Sequence, residues 1–295
     1  MVDWAPDGKV LISSGGLLAR FDLDSGEEEL LDRYGDNFAI SPDGKTLALA
    51  RGNVIELRSY PRLTPEVQVW PPEGETVTAL AWAQDGQRLA AGTHKGKILV
   101  WALEAGELVG EWEPEASATP ARLKFSADGT RLLAAFADGS AVLLEIAEDG
   151  QLVIAQEFSP APAGGKNQPA QQEVQDLTPD GRRILLTRMR GEESEVVLLD
   201  DTGEEVWSRA GYAMEFTRDG KGVLALGWPF RIAALYSTAT AEALRVFEPP
   251  PEVGVLYFVR QSPDGTKLLG VGEDKRTQVL VLWEFETGRL LAVHR

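Results

Sequence analysis

The stretch Phe38-Ala39-Ile40-Ser41-Pro42-Asp43-Gly44-Lys45-Thr46-Leu47-Ala48-Leu49-Ala50 places a Ser-Pro-Asp-Gly-Lys corner between two apolar runs. Pro42 fixes φ and stops the first run. Asp43 can bond its own backbone, and Gly44 accepts the positive φ of a tight turn. One copy would be a hairpin, but the corner recurs. It stands at Pro6-Asp7-Gly8, Pro42-Asp43-Gly44, Gln84-Asp85-Gly86, Ala127-Asp128-Gly129, Pro179-Asp180-Gly181, Arg218-Asp219-Gly220 and Pro263-Asp264-Gly265.

Successive corners lie 36, 42, 43, 52, 39 and 45 residues apart, close to the period of about 40–45 residues of a four-stranded propeller blade. The interior of the repeat decides against helices. In the third copy VTALAWA (77–83), RLAAGT (88–93), KILVWAL (97–103) and LVGEWE (108–113) are strand-length apolar runs bounded by turns. The expected fold is all-β, a seven-bladed β-propeller of four-stranded antiparallel blades in one domain over 1–295. Its blades are expected near 1–34, 35–74, 75–116, 117–172, 173–210, 211–252 and 253–295, closing as a ring with no strand exchanged between the termini.

The seven corners, KILVWAL, VLVLWEF (279–285) and the turns at Thr202 and Thr287 resemble those of the WD-repeat family and its bacterial relatives, the TolB-like propellers with Ser-Pro-Asp-Gly repeats. The resemblance covers essentially the whole chain and implies a prokaryotic protein of that type. It departs from regular WD repeats in lacking a Gly-His dipeptide, in Ala102 and Glu284 after Trp101 and Trp283, and in Lys95 at the hairpin position of the family's Asp.

Composition narrows the function. The 295 residues are 43% hydrophobic, enough for a large core, and carry a net charge of -17 with no cysteine. Thiolate catalysis and Cys metal sites are excluded. The acidic balance disfavours nucleic acid and anionic membranes, whose affinity comes from clustered Lys and Arg. No stretch has the length of a membrane helix, and MVDWAPDG lacks the features of a signal peptide. A cytoplasmic chain is expected, or an extracytoplasmic one if a leader is removed.

Aligning the first strands on the corner Asp brings together Asp3, Ala39, Ala81, Lys124, Asp176, Glu215 and Arg260. One position on stand Trp4, Ile40, Trp82, Phe125, Leu177, Phe216 and Gln261. A side-chain period of two sends these columns to opposite faces, the apolar one into the inter-blade core and the charged one towards a central channel. Mutual salt bridging is one expectation for the channel. A calcium ion or small ligand held by Asp3, Asp176 and Glu215 is another, and would suit a hydrolase or lactonase-like enzyme working at the channel mouth.

The loops between second and third strands share one face with the blade linkers. There Trp228, Phe230, Arg231, His94 and Arg190 are the expected contacts for a protein or peptide partner. Arg188 and Arg190 are also expected to pair with Glu192, Glu193 or Glu195. SPAPAGGKNQPAQQ (159–172) reads as an inserted flexible loop. Catalytic signals are poor: His94 and His294 are the only histidines, and no phosphate loop, His-Glu-x-x-His run or nucleophile elbow occurs. The expectation is therefore a non-catalytic, monomeric interaction scaffold that needs no cofactor.

Overall fold

The computed structural model describes residues 2–33, 37–69, 71, 74–114, 118–159, 172–191, 193–227, 230–275 and 277–295. The described residues form 28 strands and no helix, and none could cross a membrane as a helix. Four consecutive strands pair antiparallel in each of seven sheets, first and last included. The protein is an all-β, seven-bladed propeller whose end blades exchange no strand. It divides into two compact units, Met1–Pro160 and Ala161–Arg295, with four and three blades respectively.

The first strands of the first unit are β1 (Val2–Trp4), β5 (Asn37–Ile40), β9 (Val77–Trp82) and β13 (Pro120–Phe125), and those of the second are β17 (Gln172–Leu177), β21 (Tyr212–Phe216) and β25 (Val255–Gln261). Second strands such as β6 (Thr46–Arg51) and β14 (Arg131–Phe136) are apolar on both faces and almost wholly buried. That is why they read as continuous runs rather than alternating ones. Fourth strands are sheet edges and stay open to solvent, exposing Leu30, Val67, Leu108, Val153, Ile154, Val206, Leu244, Val246 and Leu290.

The corner explains its own sequence. Gly44 has φ of 70°, and its N–H donates to the Ser41 carbonyl at 2.9 Å. The Asp43 carboxylate accepts from the Lys45 N–H at 3.0 Å and the Ser41 hydroxyl at 2.7 Å. That hydroxyl in turn accepts the Thr46 N–H at 3.0 Å. Ser126, Thr178, Thr217 and Ser262 repeat the arrangement with Asp128, Asp180, Asp219 and Asp264. Ala5 and Ala83 replace the hydroxyl in the first and third corners.

At Asp43, Asp128 and Asp264 the serine hydroxyl foremost, then the backbone N–H two residues on, hold the carboxyl below its ordinary range. At Asp180 and Asp219 burial works the other way, yet the threonine hydroxyl and backbone N–H prevail and the value is again lowered. A carboxyl with a lowered native pKa contributes stability above its ordinary pKa, and that contribution disappears as pH falls through the native value. A Ser41→Ala, Ser126→Ala, Ser262→Ala chain should be less stable at neutral pH by about 1 kcal/mol per site. In urea unfolding its deficit should shrink below about pH 4. A deficit independent of pH would show that the hydroxyls act without the carboxylates.

Within each unit, polar side chains pin neighbouring blades. In the first, Asp32 on β4 (Glu28–Asp32) is buried between Arg51 of β6 and Arg58 of β7 (Val54–Ser59), the latter at 2.9 Å, and Glu56 joins both arginines. The Trp82 indole N–H donates to the Ala39 carbonyl at 3.0 Å, and the Thr78 hydroxyl to the Pro120 carbonyl at 2.7 Å. In the second unit Trp283 of β27 (Thr277–Glu284) is fully buried, with its indole N–H on the Glu248 carbonyl at 3.0 Å. Gly270 opposite it is required by space: a Cβ there would lie 2.6 Å from the indole ring.

Candidate functional site

The column one position past the charged one behaves largely as core. Trp4, Phe125, Leu177 and Phe216 are buried, while Ile40, Trp82 and Gln261 are half-buried.

The charged column is described unit by unit. In the first unit Ala39 and Ala81 are buried, Asp3 is half-buried and accepts the Trp4 N–H at 2.8 Å, and Lys124 is exposed. In the second, Asp176 is only 3% exposed and accepts the Phe216 N–H of the next blade at 2.8 Å. Glu215 repeats this one blade on: it accepts the Gln261 N–H at 2.6 Å and pairs with Arg260 at 3.3 Å. These two acids thus tie each first strand to its neighbour's backbone, an accepting role that a charge column alone does not reveal. Among the described residues no group of three or more His, Asp or Glu side chains is gathered around a metal position.

At the loop ends, Trp228 lies outside the described residues, as do Pro229, Glu192, Arg276 and residues 160–171 of the insertion. His94 is exposed, and its imidazole Nδ1 accepts the Thr76 N–H at 3.0 Å while its backbone N–H donates to the Thr76 carbonyl at 2.9 Å. The imidazole therefore fastens its turn to the preceding linker. Arg190 pairs with Glu195 at 2.9 Å but keeps much of its side chain in solvent, whereas Arg188 reaches Glu205 on the fourth strand of the blade. Arg231 is exposed. Phe230, expected as an exposed contact, is half-buried: its turn runs at φ of 67°, its ring meets Tyr212 edge-on at 6.0 Å, and its carbonyl accepts the Leu256 N–H at 2.7 Å.

The structure adds residues that sequence reasoning missed. β25 carries a bulge between Leu256 and Phe258, which leaves Tyr257 outside the ladder and 50% exposed. Its phenol donates to Glu273 at the loop end of β26 (Lys267–Asp274). The Glu273 carboxylate foremost holds the phenol proton above its ordinary value. Tyr212 at the start of β21 likewise donates to the exposed Glu173. Arg260 lies 5.1 Å from the centre of the Phe258 ring.

Residues 62–121 match the family profile described as the anaphase-promoting complex subunit 4 WD40 domain. A stretch of 121 residues, 39% of this chain, is 36% identical to WD repeat-containing protein SL1-17 of Schistosoma mansoni, and the match spans 38% of that protein's length. The fold superposes on the Cps50 (Swd1) β-propeller domain of Myceliophteria thermophila with a TM-score of 0.68, 17% identity and coverage of 88% of this chain and 86% of that one. It also superposes on a chain of the Mitotic Checkpoint Complex with a TM-score of 0.72, 16% identity and coverage of 96% and 86%. With the blade architecture, these matches support a WD-repeat β-propeller.

Proposed function

We propose that the chain is a non-catalytic interaction scaffold that offers the loop ends of its blades to a protein or peptide partner. One observation carries the reading: the two ends of a blade differ chemically. At the corner end the Asp carboxylates are occupied by hydroxyl and backbone donors of their own turn. At the loop end Arg190, Arg231, His94 and Tyr257 project from a fixed backbone into solvent. A preformed surface costs little ordering on binding. The names of two similar proteins place them in multiprotein complexes, which agrees with a partner-binding role.

The same reading takes the chain as a cytoplasmic monomer without a cofactor, of the bacterial Ser-Pro-Asp-Gly type on its corner sequences. A ligand held by Asp176 and Glu215 has less support, because both carboxylates already serve backbone N–H groups of the next blade.

Affinity capture with cross-linking tests the proposal. An Arg190→Glu, Arg231→Glu chain should lose the partners captured by the natural chain. A Lys45→Glu, Lys221→Glu chain, altered at the corner end, should keep them. Equal capture by both would overturn the loop-end assignment, and hydrolytic turnover abolished by Asp176→Asn would overturn the non-catalytic one.

A further inference from the structure

We draw no further inference here: the strongest candidate, the groove in the first unit between β4 and the turn after β7, lined by Leu30, Leu31, Pro61, Arg62 and Leu63 beside the Arg20–Glu29 pair, carries nothing because nothing in the structure shows what covers it.

Discussion

Asp32→Ala should cost the first unit about 3–5 kcal/mol, the usual effect of removing one member of a buried ion pair. In melting temperature that is a fall on the order of 10 °C. The carboxylate is 8% exposed and lies between two arginines from the next blade. Without it, Arg51 and Arg58 face each other with Glu56 as the acid that, among the described residues, still pairs with both. Two guanidinium charges then share one carboxylate in a poorly solvated position. Asp32→Asn keeps the shape and should recover only part of the loss, because the deficit is one of charge. A drop of a degree or two in a thermal melt of Asp32→Ala would mean that water screens the cluster and the network is peripheral.

Trp283→Ala should destabilise the second unit by about 3–5 kcal/mol, the range for emptying a fully buried aromatic position. The ring lies 6.1 Å from Phe247 in an edge-on arrangement and fills the space left by Gly270. Its loss also strips the Glu248 carbonyl of its indole donor, adding the cost of an unsatisfied acceptor. Trp283→Phe should restore much of the packing but not the hydrogen bond, separating the two contributions. Denaturant unfolding measures both, and midpoints within error of the natural chain would refute the packing account.

The blades were legible because their punctuation is local. An Asp that bonds its own turn and a Gly at positive φ act within a few residues, so the corner survives in sequence whatever surrounds it. Position minus two of that corner carried a further signal, Ser or Thr in five copies, whose meaning lies in one hydroxyl serving both Asp and backbone.

The candidate site was less legible, for a different physical reason. Asp176 and Glu215 could be assigned to one column, but their acceptor role depends on an N–H of the neighbouring blade some 40 residues away. Tyr257 was concealed by its bulge. VLYFVRQ reads as an uninterrupted strand, and one inserted residue shifts the alternation without leaving a compositional mark. Phe230 presents the reverse case: a turn aromatic that looks exposed in sequence packs onto Tyr212 in the structure.

The open fourth strands have a consequence for behaviour at high concentration. A sheet edge with free N–H and C=O groups and protruding Leu244, Val246, Val153 and Ile154 is a template for a strand from another molecule. Charged side chains such as Glu66, Glu111, Glu157 and Arg245, and Pro65, stand on those edges and oppose such pairing, and mutual repulsion between strongly acidic molecules adds to it. The abundance of Asp and Glu is therefore a colloidal safeguard as well as a feature of the turns.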